Sequence, residues 1–163
     1  MIVSFTGHRP AKIGGYSIPN PTYNYVMDGL RNILKELKPE KALSGMAIGV
    51  DTMAAEVCIE LGIKFEAVVP FVGQEKYWPA EAQERYLKLL SLANSTKVVS
   101  PGGYAPWKMQ VRNEYLVDHC DKLIAVWDDS SGGTKNCVDY AISKKKHIIR
   151  IDPRKANVPV DNL

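Results

Sequence analysis

Short apolar runs alternate along this chain with segments whose apolar residues recur at helical spacing. The runs predict strands at residues 2–6, 41–44, 64–70, 96–100, 122–127 and 147–151. The amphipathic segments predict helices at residues 25–37, 52–61, 80–93, 110–119 and 134–144. Strands that are apolar throughout and alternate with helices are typical of a parallel sheet covered on both faces. We therefore predict an α/β fold, a three-layer sandwich with a mostly parallel central sheet of about six strands.

Glycine and proline separate these segments and suggest one domain at 1–151, followed by a tail at 152–163. The tail is predicted as an edge segment or a partly ordered end, and residues 11–23 are predicted as a loop. In a parallel sheet every strand-to-helix loop lies at one edge, and ligands bind there where the strand order reverses. Four loops at this edge carry polar or glycine residues: 6–10, 44–52, 100–113 and 127–134.

The segment 44–56, SGMAIGVDTMAAE, joins a predicted strand to a predicted helix. Gly45 and Gly49 allow a tight turn and a close approach of a ligand to the backbone. Asp51 and Thr52 are helix-starting residues, because their side-chain oxygens can bond the free amides of the first turn. Free amides and the helix dipole together favour an anion at this place. The alternative is an ordinary strand-to-helix turn that contains glycines.

A second glycine turn, DDSSGGT at 128–134, also precedes a predicted helix. Gly132 and Gly133 leave their amides free, and Thr134 is predicted as the N-cap. Two such helix ends at one sheet edge favour an anion with several oxygens, most simply a nucleotide phosphate.

Cationic side chains accompany these turns. His8 and Arg9 directly follow the first strand, where they are suited to a phosphate or carboxylate. Arg112 is predicted in the first turn of a helix at the same edge. The alternatives are that His8 caps its loop while Arg9 pairs with an acid, and that Arg112 is a surface residue paired with Glu114 or Asp118. The aromatic residues Tyr104, Trp107 and Trp127 are suited either to stacking on a base or to the core.

Composition narrows the function classes. The chain has 163 residues, 45% of them hydrophobic and 24% charged, and a formal charge of +3 that is too small to argue for nucleic acid. Neither a Gly-x-Gly-x-x-Gly fingerprint, a Walker motif, a serine nucleophile elbow nor a metal-ligand cluster occurs in the sequence. We predict no metal and no cofactor. Three widely spaced cysteines, no apolar run long enough for a bilayer and no signal peptide favour the cytoplasm.

Four motifs occur in a familiar order: TGHRP at 6–10, SGMAIGVD at 44–51, Arg112-Asn113, and GGT at 132–134. Their combination resembles the YpsA-like branch of the SLOG superfamily, which is named from the SMF/DprA DNA-processing proteins and the LOG enzymes. The resemblance covers residues 1 to about 151. It implies a Rossmann-like fold with a nucleotide or nucleotide-derived ligand at the glycine motifs.

The motifs and the resemblance together predict the ligand-binding residues. These are Thr6, Gly7, His8, Arg9, Gly45, Met46, Gly49, Asp51, Thr52, Arg112, Asn113, Asp128, Gly132, Gly133 and Thr134. The loops that carry Gly7, Gly49, Arg112 and Gly133 are expected to converge into one cleft.

LOG enzymes are phosphoribohydrolases, and the resemblance makes Arg112 the counterpart of their arginine. Where LOG places its catalytic glutamate, this chain has Cys137. If the protein is an enzyme, the predicted catalytic residues are Arg112, Asp51 and Asp139, with His8 a further source of the missing group. Asp139 follows Cys137 by two helical positions, which turns it away by roughly 200°.

The leading hypothesis is a sensor or sequestering module for a nucleotide or an ADP-ribose-like molecule. The second is an N-glycosidase that releases the base from a nucleoside 5′-monophosphate. The third is a single-stranded DNA-binding module like the DNA-processing relatives, which the few aromatic residues and slight charge disfavour. We expect no membrane partner, and a homodimer is a further possibility.

Overall fold

The computed structural model describes residues 1–157. The strands are β1 (Ile2–Gly7), β2 (Lys41–Ser44), β3 (Phe65–Val69), β4 (Ser95–Val98), β5 (Lys122–Val126) and β6 (His147–Ile151). The helices are α1 (Pro21–Leu37), α2 (Val50–Leu61), α3 (Ala80–Leu92), α4 (Pro106–Asp118) and α5 (Gly133–Ser143), and short 3₁₀ turns lie at Pro10–Lys12 and Pro153–Asn157. Within these residues, no helix is both long and apolar enough to cross a bilayer.

All five strand pairings are parallel, and the strand order is β4-β3-β2-β1-β5-β6. This confirms the predicted α/β class and the parallel six-stranded sheet. The chain first adds strands on one side of β1 and then crosses to the other side with β5. The order therefore reverses between β1 and β5, and a crevice is expected above the carboxyl ends of these two strands.

The two faces of the sheet carry separate cores. Val3 and Phe5 of β1 point to the face covered by α1, α2 and α3, where the largest cluster of buried side chains lies. Ser4 alternates to the opposite face and donates a hydrogen bond to the carbonyl oxygen of Leu116 in α4. Leu123 of β5 packs on this second face with residues of α4 and α5. The period-two alternation of the strands thus supports helices on both sides.

Two helices begin four residues earlier than their apolar periodicity predicts. The first starts at Pro21, where the side chain of Asn20 accepts a hydrogen bond from the amide of Tyr23. The fourth starts at Pro106 rather than at residue 110. Proline is favoured in the first helical turn because its missing N–H has no partner there in any case. The prolines that we read as loop residues therefore mark helix starts.

The tail begins with the 3₁₀ turn Pro153–Asn157, which packs against α1. The rest of the predicted tail, 158–163, lies outside the described residues. The division into a domain and a tail stays a prediction.

The glycine turn before α2 is fastened to the end of β1. The amide of Val50 donates to the carbonyl oxygen of His8 at 3.2 Å. Gly49 has φ of +106°, and a Cβ on it would lie 2.5 Å from that same oxygen. A Cβ on Gly7 would lie 2.5 Å from the side chain of Val50. These two glycines let strand and helix approach so closely that any side chain would separate them.

We expect Gly49→Ala to lower the free energy of unfolding by roughly 3 kcal/mol, because it combines a strained backbone with a clash against His8. Gly73→Ala is the matched control, since Gly73 also has positive φ (+89°) but open space around its Cβ position. Its loss should be about 1–2 kcal/mol. Urea unfolding measures both values, and equal losses would show that the close approach at Gly49 is unimportant.

Candidate functional site

A cleft of about 370 Å³ opens at the carboxyl edge of the sheet, above β1 and β5. It is lined by Thr6, Gly7, His8, Arg9, Ala11, Lys12, Ala47, Asp51, Met109, Arg112, Asn113, Ser131, Gly132, Gly133 and Thr134. Loops after β1, β2 and β5 meet there with helix α4. The structure therefore brings together ten of the residues that the sequence singles out, although ligand binding by them stays a prediction.

Arg112 forms part of the floor of the cleft and is only 5% exposed. Its Nη1 donates to the carbonyl oxygen of Gly45 at 2.6 Å, and its Nε donates to the side chain of Asn113 at 3.0 Å. The surface alternative, with pairing to Glu114 or Asp118, is therefore wrong. Because α4 begins at Pro106, Arg112 lies in the second helical turn and not in the first. This position lets the side chain reach inward under the loop after β2.

The third nitrogen of this guanidinium, Nη2, has no hydrogen-bond partner among residues 1–157. Among residues 1–157, every fully buried side-chain nitrogen or oxygen has a hydrogen-bond partner, so an atom without a partner must be accessible to solvent. Nη2 is therefore open to the cleft. Burial lowers the pKa of Arg112, and the nearby Asp51 opposes this effect. The cleft thus contains a fixed cationic donor that is poorly solvated.

Asp51 lies in the first turn of α2 and is 6% exposed. Its Oδ2 accepts a hydrogen bond from the amide of Ala47 at 3.2 Å, while Oδ1 has no partner among residues 1–157 and is open to the cleft. Burial raises the pKa of Asp51, against the opposing charge of Arg112 and the Ala47 hydrogen bond. The predicted helix-capping role is wrong: Asp51 bonds the loop before the helix, and the hydroxyl of Thr52 donates to the carbonyl of Gly49.

Gly45 separates the two charged side chains. A Cβ on Gly45 would lie 2.6 Å from Nη1 of Arg112 and 2.8 Å from Oδ2 of Asp51. The absence of a side chain here is what allows both groups to reach the same loop.

The loop after β2 is held from below by polar side chains. Ser44 donates to the carbonyl of Asp51 and accepts from the amide of Met46, which is fully buried with φ of +59°. Gln74, which the sequence analysis missed, donates to the carbonyls of Gly45 and Met46 at 3.4 and 3.2 Å. A glutamine in a predicted loop gives no sequence signal for such a role, because its partners are backbone atoms far away in the chain.

The N-terminus of α5 forms the opposite wall. The N-cap is Gly132, with φ of +137° and no side-chain cap, so the predicted N-cap Thr134 lies one residue inside the helix. The side-chain amide nitrogen of Asn113 lies 3.5 Å from the carbonyl oxygen of Gly133 and links this wall to α4. An uncapped helix start beside Arg112 presents free amides to an anion.

His8 and Asp128 form a pair beside this wall, in which His8 is buried and Asp128 is partly exposed. The Nε2 atom of His8 lies 2.9 Å from Oδ1 of Asp128. Burial lowers the pKa of His8, although Asp128 opposes the shift. Burial disfavours the charge of Asp128 too, but hydrogen bonds from Ser130 and the nearby His8 outweigh it and lower the pKa of Asp128 to about 2. The backbone amide of Asp128 also donates to Nε2 of His8, at 3.1 Å. The lowered pKa favours a neutral imidazole at neutral pH. His8 therefore contacts the loop after β5 and does not cap its own loop, while ligand binding by His8 stays a prediction.

Lys12 bridges the mouth of the cleft. Its Nζ lies 2.6 Å from the hydroxyl of Ser130 and 3.5 Å from the carbonyl of Ser131. Arg9 lines the same mouth, and it forms no ion pair within residues 1–157. The sequence analysis missed Lys12, because a lone lysine in a predicted loop carries no pattern.

Several singled-out residues lie elsewhere. Gly49 and Thr52 line a neighbouring pocket, and Met46 lies buried beneath the loop. Asp139 pairs with Lys135 at 2.6 Å on an exposed face, away from the cleft-lining residues. Tyr104 and Trp107 are 69% and 60% exposed, so they belong to neither the core nor the cleft.

We expect His8 to make the protein less stable below its usual pKa of 6.5. The folded state holds His8 neutral while the unfolded chain binds a proton, so this contribution is complete above pH 6.5 and is lost as the pH falls towards the lower folded-state pKa. Urea unfolding at pH 7.5, 6.5 and 5.5 measures the free energy of unfolding. Between pH 7.5 and 5.5 this free energy should fall less for His8→Gln than for the wild type. His147→Gln, which removes an exposed imidazole, should follow the wild type. Identical pH profiles for the two variants would contradict the assignment.

Comparison with known proteins identifies the family to which the chain is similar. The YpsA family model, described as the YspA SLOG family, matches residues 3–154. The SPbeta prophage-derived protein YoqJ of Bacillus subtilis (strain 168) is 34% identical over 143 residues, covering 75% of this chain and 83% of YoqJ.

Two solved structures share the fold. DprA of Streptococcus pneumoniae has a TM-score of 0.65 at 18% identity, and the match covers 92% of this chain but only 50% of DprA. DprA of Helicobacter pylori, which binds single-stranded DNA, has a TM-score of 0.65 at 17% identity, and the match covers 93% of this chain and 65% of that protein. The family match confirms what the glycine motifs indicated, and the chain belongs to the YpsA family of the SLOG superfamily.

Proposed function

We propose that the protein binds a nucleotide or a nucleotide-derived ligand in this cleft, as a sensor or sequestering module. The observation that carries the proposal is the open Nη2 of the buried Arg112, in a cleft that the uncapped start of α5 also lines. A buried cationic donor with an unused hydrogen bond is costly to maintain unless an acceptor of complementary charge fills it. A phosphate group is such an acceptor, and a helix start provides further donors for it.

The charges along the cleft are unevenly distributed. Arg9, Lys12 and Arg112 line it, whereas Asp51 is the one carboxylate among its lining residues. The cations suit phosphate oxygens, and the carboxylate suits the hydroxyl of a sugar. A phosphorylated sugar therefore fits the charge pattern better than a phosphate alone, and we assign the phosphate to the amides of Gly133 and Thr134.

Arg112→Met removes the open donor but keeps most of the side-chain length. We expect it to weaken nucleotide binding about tenfold or more, as for other charged hydrogen bonds. Isothermal titration with AMP, ADP-ribose, NAD and cyclic dinucleotides measures this effect. Arg31→Met, which removes an exposed arginine paired with Asp28 and Glu60, is the control.

A second variant tests the same site without removing any ligand contact. Gly45→Ala inserts a methyl group between Arg112 and Asp51 and should weaken binding as well. Its control is Gly103→Ala, because a Cβ on Gly103 meets nothing within 4 Å. Absence of binding by the wild type at millimolar concentration of every ligand would refute the proposal.

A second candidate function is hydrolysis of the N-glycosidic bond in a nucleoside 5′-monophosphate. Asp51 supports it, because this carboxylate lines the cleft, is shielded from water and has a raised pKa. Cys137 cannot act in its place, since burial raises the pKa of its thiol to about 12 and leaves it uncharged. Asp139 is too far outside the cleft to contribute.

Incubation with nucleoside monophosphates, followed by chromatography, distinguishes catalysis from binding. If the protein is a hydrolase, free base should appear, and Asp51→Asn should abolish its formation while nucleotide binding persists. Binding of nucleotide without release of free base would exclude hydrolysis and support the function as a sensor or sequestering module.

Single-stranded DNA is a third candidate ligand, since DprA of H. pylori binds it. The lining residues of the cleft include no phenylalanine, tyrosine or tryptophan on which bases could stack. This observation ranks the DNA-binding module below the two nucleotide functions.

A further inference from the structure

A second pocket, of about 220 Å³, lies on the other side of the glycine turn from the cleft. Three parts of the chain enclose it: the segment 10–23, the first two turns of α2, and the start of α3. Gly49 and Thr52 of the glycine turn belong to its wall.

The walls of this pocket are mainly apolar. Ile13, Ile48 and Met53 line it and are 2%, 6% and 4% exposed. At its mouth, Tyr16 is 58% exposed and Ile18 is 37% exposed. Large apolar side chains that remain exposed around a concave surface mark a place where another apolar group can bind.

A small polar cluster forms one end of the pocket. Glu56 lies 3.2 Å from Nε of Arg85 and accepts a long hydrogen bond of 3.4 Å from the hydroxyl of Tyr23. All three residues line the pocket. Burial raises the pKa of Glu56, and the charge of Arg85 opposes this shift. The cluster therefore offers a carboxylate acceptor and a guanidinium donor side by side, with only one partner for each carboxylate oxygen.

We propose that this pocket is a second binding site, for a flat heteroaromatic ring that carries an N–H donor next to an acceptor. The apolar walls and the ring of Tyr16 match the faces of such a ring. Its N–H donates to Glu56, and its carbonyl or ring nitrogen accepts from Arg85. An aliphatic molecule of the same volume fills the apolar part but leaves this donor–acceptor pair unmatched.

The glycine turn couples this site to the cleft. Gly49 and Thr52 face the pocket, whereas Ala47 and Asp51 face the cleft. A ligand that shifts the turn from one side alters the position of Asp51 on the other. The two affinities are then linked, and the linkage is reciprocal.

The test uses 2-aminopurine, a fluorescent heteroaromatic ring with N–H donors, titrated with the full-length protein. We expect saturable binding with one site per chain. Tyr16→Ala should weaken binding at least about fivefold through loss of stacking, and Glu56→Gln should weaken it by a similar factor. Tyr77→Ala and Glu84→Gln are matched controls, because both residues lie outside the pocket and Tyr77 is 88% exposed.

Ala82→Leu provides an independent variant, since it fills the pocket from α3 without removing a polar group. It should abolish the binding of 2-aminopurine, and a thermal melt confirms that the variant is folded.

Arg112→Met should leave the binding of 2-aminopurine intact, so that failure of the nucleotide site and failure of this site are distinguishable. Absence of binding, or binding that all three pocket variants leave unchanged, overturns the proposal. Loss of binding in Arg112→Met alone would place the ring in the cleft and overturn it as well.

Discussion

The contact between the end of β1 and the start of α2 determines where every other part of the site can lie. Val50 donates to the carbonyl of His8, and Gly7 and Gly49 have no side chains that would keep the two segments apart. Because β1 is the central strand at which the order reverses, this contact places a helix start directly above the crevice. The cleft lies on one side of the resulting partition and the apolar pocket on the other.

The burial of the charged groups in the cleft is unfavourable for the stability of the fold. Arg112 and Asp51 are both nearly buried, yet their side chains lie on either side of Gly45 and do not form a direct ion pair. Burial shifts the pKa of each towards its uncharged form. Buried charges that are not fully compensated are characteristic of functional sites, because the unfilled interactions are available to a ligand. The backbone supplies only part of the compensation, through Gly45 and Ala47.

Periodicity and glycine placement were sufficient to predict the layers, the parallel sheet and the edge at which the glycine loops meet. They misplaced helix starts, since apolar spacing does not register a proline-led first turn such as that at Pro106. The supporting residues of the site could not be predicted. Lys12 and Gln74 each act through two contacts with one distant loop. Such contacts depend on tertiary packing, which leaves no periodic pattern in the sequence. The burial of Arg112 could not be predicted for the same reason.

The identity of residue 137 affects whether the cleft could cleave a bound nucleotide or only bind it. Cys137 lies on the inner face of α5, fully buried, at the place that the LOG pattern gives to a carboxylate. Its thiol stays protonated, and so it cannot stabilise positive charge that develops on a sugar ring. Any such stabilisation falls to Asp51, which approaches from α2 across the cleft and is already oriented by Ala47. A carboxylate held in this way can accept a hydrogen bond from a sugar hydroxyl, and it is the same group on which the proposed hydrolysis would depend.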